Sequence, residues 1–368
     1  MAGSLSRAAP RAQLPGMVLG ILGAIAALAA AHRVGDPALA PLVAAAMLTG
    51  AMFVWLDYGF TGGFRAFLER GDGGVLGAAF IVPAVAALVV IPVATTLDGY
   101  GRFVAPVGLS LILGAAIFGV GMQLTNGCGS GTLVAVGQGS RRMIIALPFF
   151  CVGGVLGSLV LPAALAWPGI GEVDLAARLG TWGGLAATEA LLLAGALVVL
   201  RGRRPAPGKL LAGAVIGALA ALLFLVSGQP WGVTMGLTVW GAKAVQAAGV
   251  DLAGTAFWSD PWMAGALTGP WLALHASASN AGVILGALLA AAAMGRMRHG
   301  TPIGWRPSVA AALGGLLMGI GARLSFGCNV GAFLGGASSG SLHGFVWIAA
   351  ALPGCWAGIR LRPLFGMR

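Results

Sequence analysis

LTNGCGSG occupies residues 124–131, and LSFGCNVG occupies residues 324–331. The two stand 200 positions apart (324 less 124), and each writes Leu-x-x-Gly-Cys-x-x-Gly in a chain with only four cysteines. The register extends upstream: Gly114, Gly119, Gly121, Leu124, Gly127, Cys128 and Gly131 match Gly314, Gly319, Gly321, Leu324, Gly327, Cys328 and Gly331. Chance matches are expected among 63 glycines in 368 residues, but not seven in register around a rare cysteine. A weaker echo links GFTGG at 59–63 to GVTMG at 232–236, offset by 173, so the second half carries about 27 extra residues, placed at 251–276.

The chain around these motifs is 58% hydrophobic and 8% charged, against about 25% charged in an ordinary soluble domain. Such a chain cannot cover its apolar surface with its own polar residues, so its solvent is lipid and its class is all-α polytopic membrane protein. The net charge of +11 does not indicate nucleic acid, because the basic residues sit in short loops between apolar runs rather than in a patch interleaved with aromatics. Cys128, Cys151, Cys328 and Cys355 form no CxxC pair and no metal-type cluster with histidine. No nucleotide-binding loop is present, and no cofactor is expected. Residues 17–31 resemble a signal peptide, but the many spans that follow make them the first transmembrane helix.

Ten crossings are expected, centred on 15–31, 38–56, 74–96, 104–122, 142–166, 182–200, 209–227, 277–295, 308–324 and 343–360. Three glycine-rich stretches, 59–70, 127–139 and 327–340, are too short to cross, and 231–249 is ambiguous. With the N-terminus inside, the inner loops hold sixteen basic residues, including Arg7, Arg11, Arg65, Arg142, Arg362 and Arg368; the outer loops hold only Arg33, Arg102 and Arg178. This asymmetry follows the positive-inside rule and places both termini in the cytoplasm. The spans preceding Cys128 and Cys328 then run in opposite directions, which makes the halves, about 38–166 and 209–360, inverted repeats within one transporter domain, 1–368.

A helix ending at mid-membrane leaves backbone N–H groups unpaired, so its end must line a cavity or bind something. Its N-terminus suits an anion. Two inverted half-helices, 127–139 and 327–340, aim such ends at one centre, with Gly127 and Gly129 flanking one thiol and Gly327 and Asn329 the other. A cysteine S–H is a weak donor on a soft sulfur. It holds a sulfur-bearing anion loosely, as conduction requires, by hydrogen bonding; the alternative is reversible sulfur exchange through a thiol whose pKa the half-helix end lowers. Cys151 and Cys355, mid-span among apolar residues, are expected to be packing residues.

GGFR at 62–65, GCGSGT at 127–132, GCNVGAF at 327–333 and SGSLHG at 339–344 resemble the YeeE/YedE family of bacterial inner-membrane sulfur transporters, over about residues 38–360. The resemblance implies an hourglass fold with internal pseudo-two-fold symmetry, uptake of thiosulfate or a related sulfur or selenium species, and localisation in the bacterial inner membrane. It also implies passage of the ion along Cys128 and Cys328, and a small TusA-like sulfur-carrier protein on the cytoplasmic side. One family thiol is missing: importers carry a further cysteine before LTGGFR, where this chain has Gly59 in YGFTGGFR. The function expected is a permease for a small sulfur-containing anion, thiosulfate first, and not an enzyme. The alternatives are a membrane thiol-disulfide oxidoreductase and a membrane scaffold for a sulfur carrier.

Arg323, near the membrane interior, is expected either to attract the anion, or to cap a helix or pair with an acid such as Asp57 or Glu189. Lys243 is open to the same readings. Gln123, Thr125 and Asn126 near Cys128, and Ser325 and Asn329 near Cys328, offer neutral hydrogen-bonding groups. His343 reads as structural or interfacial. The tryptophans near predicted span ends, among them Trp167, Trp182, Trp231, Trp258, Trp262 and Trp305, read as interfacial belts.

Overall fold

The structure is a computed structural model that describes residues 12–205, 207–298 and 302–367; the charge assignments of Arg7, Arg11 and Arg368 lie outside those residues. Its first half runs α1 (Leu14–Val34), α2 (Leu39–Trp55), α3 (Thr61–Arg70), α4 (Gly74–Ala78), α5 (Ile81–Thr96), α6 (Leu109–Thr125), α7 (Gly129–Gly137) and α8 (Arg141–Ala164). Its second half runs α9 (Leu175–Leu200), α10 (Pro207–Ser227), α11 (Thr234–Ala247), α12 (Pro261–Thr268), α13 (His275–Ala293), α14 (Trp305–Leu324), a π-helix (Asn329–Gly336) and α15 (Leu342–Leu361).

Among the described residues, nine helical stretches are long and apolar enough to cross a membrane. The tenth expected crossing, α2, is shorter at 17 residues. The protein is an all-α polytopic membrane protein. The ambiguous 231–249 stretch is the short helix α11 rather than a span. Among the described residues the strands form a two-stranded antiparallel ribbon, β1 (Pro106–Gly108) with β2 (Gly169–Glu172).

The packing partners of the two halves correspond. Helix α2 packs on α13 as α10 packs on α5, and α1 on α13 as α9 on α5. At the centre, α14 packs on α8 as α6 packs on α15, while α6 and α14 cross each other. A Cβ placed on Gly114 would stand 2.6 Å from Ser325 N, and one on Gly121 2.5 Å from Gly314 O. The contacts therefore descend along α6 as they ascend along α14, which makes the two helices antiparallel. They also reciprocate, because Gly314 faces Gly121 O at 2.8 Å and Gly321 faces Gly114 O at 2.6 Å. On the outer faces of this pair, Gly119 abuts Ala351 O and Gly319 abuts Phe150 O, at 2.4 and 2.2 Å from the Cβ position. Small residues let the backbones meet where lipid supplies no hydrophobic drive between helices. The bulky apolar side chains face outward instead, as Leu14, Leu19, Leu22, Leu193 and Val198 do on α1 and α9.

The extra stretch 251–276 is a folded cap. Trp258 is buried with Leu252, Leu267, Val155 and Val239, and donates from Nε1 to Ser158 Oγ at 2.9 Å. Lys243 Nζ donates to Leu267 O and Gly269 O at 2.7 and 2.6 Å, tying α11 to the last turn of α12. The carbonyls there lack intrahelical partners and take a cation favourably. Lys243 is thereby a tether for the cap.

Candidate functional site

The two cysteine motifs fold alike. Helix α6 stops where Asn126 turns left-handed at φ 67°, and α14 stops where Phe326 does so at φ 62°. A hydroxyl spans each break, with Thr125 Oγ1 2.9 Å from Gly127 O and Ser325 Oγ 3.2 Å from Gly327 O. Trp347 Nε1 also donates to Ser325 Oγ, at 2.9 Å. Cys128 and Cys328 then sit at the N-caps of α7 and the π-helix in extended backbone. Each accepts the first backbone bond of its helix, from Thr132 N and Ala332 N, both at 2.8 Å.

The two motifs come together at the second thiol. The Cβ position of Gly129, the residue after Cys128, lies 2.8 Å from Cys328 Sγ, so only a glycine admits that sulfur. The half-helices then diverge: α7 ends where Gln138 O accepts from Arg298 N, and the π-helix leads to Leu342, whose N–H donates to Val173 O beside the ribbon. Both cysteines are free and buried. Gly131 N donates to Cys128 Sγ at 3.4 Å, and Ser130 Oγ lies 3.5 Å from the same sulfur. Cys328 lies close to the backbone N–H groups of Val330 and Gly331. The second half-helix is π-coiled, a local irregularity often found at functional sites. Its first side chain, Asn329, is fully buried with neither amide atom partnered. Gly127 packs against Met143 Cε and Gly327 against its own helix's Ala332 N, so these two fit the chain closely.

From the ribbon end, a cavity of about 760 Å³ reaches inward to Gly331, three residues past Cys328. Arg323, Phe326, Trp231, Gly232, Met235 and Ser279 line it. Arg323 is 6% exposed; its guanidinium lies 4.8 Å from the Phe257 ring of the cap, its Nη1 is 3.9 Å from Met235 Sδ, and its Nε has no partner. Neither Asp57 nor Glu189 pairs with it; among the described residues the ion pairs are Arg102–Asp174 and His275–Asp36. An arginine wrapped in aromatic and thioether groups keeps its charge available to a ligand in the cavity. At the cavity rim, His275 Nε2 is 2.9 Å from Asp36 Oδ2, and this bond holds the Asp36 carboxyl below its usual pKa.

At the opposite end, Arg65 on α3 donates to Gln123 Oε1 and Asn126 Oδ1. Arg362 Nη1 donates to Gln123 O at 2.8 Å, and Arg142 is close enough to join the same cationic group. Gln123 and Arg323 are equivalent positions: Gly358 abuts the Cβ of one at 2.9 Å as Gly157 abuts that of the other at 2.7 Å. The two mouths are thus alike in backbone but differ in side chain.

Beyond its own chain neighbours, Gly59 has no atom within 4 Å of its Cβ position, so open space stands there. Cys355 backs the α6 seam and Cys151 the α11 seam, beside Gly119 and Gly241. His343 is buried, with Nδ1 2.7 Å from Ser341 Oγ and its ring edge-on to Phe103. Trp167, Trp182, Trp262 and Trp305 are exposed, as belt residues are, but Trp231 and Trp258 are buried. Both lie near helix ends in the sequence, and both are inside because α11 and the cap are not spans. Nothing in the sequence singles out Tyr58, yet it is buried, unpartnered at its hydroxyl and within electrostatic reach of Cys128. Extending the 173-residue echo by one position would have found it, because Tyr58 then aligns with Trp231.

Two broken hairpins meeting at buried thiols below an open cavity define a helical membrane protein with a discontinuous-helix centre, the architecture of transport proteins. The family model described as Sulphur transport matches residues 57–357, and the chain belongs to that family. It is 31% identical over 172 residues to a probable transporter YedE of Salmonella typhimurium strain LT2, covering 44% of this chain and 39% of that one. It is 29% identical over 160 residues to a probable transporter YedE of Escherichia coli strain K12, covering 40% and 37%. It is 28% identical over 258 residues to the thiosulfate transporter TsuA of Spirochaeta thermophila, covering 65% and 72%. The chain thus spans less than two fifths of the length of the two YedE relatives in the matched regions.

Proposed function

We propose that this protein is a permease of the bacterial inner membrane that passes a small sulfur-containing anion, thiosulfate first, through a constriction formed by Cys128, Cys328, Gly129 and Asn329. The observation that supports this reading most is the seat of Cys328 Sγ against the Cβ position of Gly129, the first residue of the other half-helix. The half-helix N-termini supply backbone donors and partial positive charge, and the thiols supply weak donors that hold an anion without trapping it. The description of the family and the name of the Spirochaeta relative support the cargo. Arg323 draws the anion into the outer cavity, and the arginines beside Gln123 receive it at the inner mouth.

The reciprocal packing of α6 and α14 supports a single domain of two inverted repeats, about 38–166 and 209–360. The loops at the Arg65 end, which carry Arg141, Arg201, Arg203, Arg296 and Arg298, support a cytoplasmic placement of that end and of both termini. A TusA-like carrier with a reactive cysteine is the partner this orientation calls for at that end. The protein works as a conduit and not as an enzyme: the anion leaves with the covalent bonds it had on entry.

The test is uptake of labelled thiosulfate, sulfite and selenite by the purified protein in liposomes, with free thiols counted before and after. Saturable thiosulfate uptake without ATP and with four thiols retained is expected. Thiol loss proportional to turnover supports the oxidoreductase instead, and no uptake of any of these anions contradicts the permease.

A further inference from the structure

Tyr58 and Trp231 occupy equivalent places in the two halves. Each is followed by a glycine with open space at its Cβ position, Gly59 and Gly232. Each stands three residues before the threonine that opens a short helix, Thr61 of α3 and Thr234 of α11. Tyr58 is 8% and Trp231 4% exposed, and neither the Tyr58 hydroxyl nor Trp231 Nε1 has a hydrogen-bond partner. A buried donor with nothing to bond to is costly, and native folds retain few of them. One ring joins the pair: Phe53 meets Tyr58 edge-on at 5.9 Å between centroids and Trp231 at 6.2 Å. Trp231 lines the outer cavity, and Tyr58 lies within electrostatic reach of Cys128. The two donors therefore stand one in the cavity wall and one within reach of the first cysteine.

We infer that the Tyr58 O–H and the Trp231 N–H are hydrogen-bond donors to the anion as it enters and leaves the constriction. The inference rests on the permease reading above. Tyrosine and tryptophan suit the task because an aromatic body packs in an apolar wall while its polar tip faces the path. Both donors are neutral, so they compensate the lost hydration of the anion without the deep Coulombic well that would stop it. An anion with several terminal oxygen or sulfur acceptors, a thio-oxyanion or oxyanion, fits donors spaced along a path. A spherical halide, with no directed acceptors, fits them less well.

The substitutions that isolate the donors are Tyr58→Phe and Trp231→Phe, measured for thiosulfate uptake in liposomes beside Cys128→Ala, with melting temperature followed in detergent. Each aromatic substitution is expected to lower uptake at sub-saturating thiosulfate about 10-fold, the effect of one hydrogen bond to a charged ligand. Melting of Tyr58→Phe stays at or above the wild-type temperature, because removing an unpartnered buried donor relieves a cost. Uptake by Tyr58→Phe and Trp231→Phe within about two-fold of wild type, when Cys128→Ala has lost it, overturns the donor pair and leaves the thiol path standing. A fall in melting temperature of Tyr58→Phe that accounts for its lost uptake overturns it too, by making the hydroxyl structural. Wild-type protein that moves no thiosulfate overturns the permease reading and this inference together.

Discussion

Cys128→Ala and Cys328→Ala each lower thiosulfate uptake about 10- to 100-fold, the cost of leaving a charged acceptor without its donor. The double substitution brings uptake to the level of protein-free liposomes. The reasoning is local. Both sulfurs are buried at half-helix N-caps, so a hydrogen bond lost there is poorly replaced by solvent. The methyl that remains cannot donate, and the Asn329 amide is left as the nearest unpartnered group on the second half-helix. Serine in place of cysteine restores a donor, but a harder one that holds the anion more tightly, so Cys→Ser lowers maximal rate while apparent affinity holds or rises. The two alanine variants fold, because each removes one buried sulfur from a site that already abuts glycine. Uptake and gel-filtration profiles of the single and double alanine variants and of the two serine variants check this set.

Arg323→Glu is expected to lower uptake more than 100-fold, and Arg323→Gln about 10- to 50-fold. At an effective dielectric of about 20, one unit charge about 7 Å away contributes about 2 kcal/mol. Neutralising the guanidinium removes that attraction, and glutamate replaces it with repulsion of similar size. The arginine is 6% exposed under Phe257, so bulk salt screens it weakly and the loss persists at high ionic strength. A burial cost for glutamate is expected as well, and Arg323→Gln separates the two effects, since glutamine carries no charge to desolvate. Initial uptake rates against thiosulfate concentration, at low and high chloride, make the measurement. An Arg323→Gln variant with wild-type affinity would leave the arginine a purely structural role beneath the cap.

The transmembrane segments were legible because lipid imposes a length and an apolar composition that a sequence shows directly. The motif pair was legible because the break in each helix is local chemistry: a left-handed residue, a glycine, and a cysteine at the cap. Less local features escaped. Trp231 and Trp258 sit near helix ends, where belt residues sit, and only the packing of α11 and the cap around them decides that they are buried. Lys243 has no acidic partner to mark it; its partners are two backbone carbonyls 24 and 26 residues later, which no side-chain pattern encodes. Arg323 found an aromatic ring and a thioether where the sequence offered Asp57 and Glu189 as partners. Tyr58 lies one position upstream of the GFTGG echo that would have paired it with Trp231, and the lack of any group to receive its proton shows only in the coordinates. The β ribbon escaped for another reason: three residues paired with four, one strand written Gly-Ile-Gly-Glu, carry no alternating pattern.

A structure determined with thiosulfate bound puts the centre of the mechanism to the proof. Density for the anion is expected between Cys128 and Cys328, with its acceptors within hydrogen-bonding distance of both sulfurs and of the first backbone N–H groups of the two half-helices. Thiosulfate seated only elsewhere, or both sulfurs turned from the ion that the protein demonstrably carries, would contradict it.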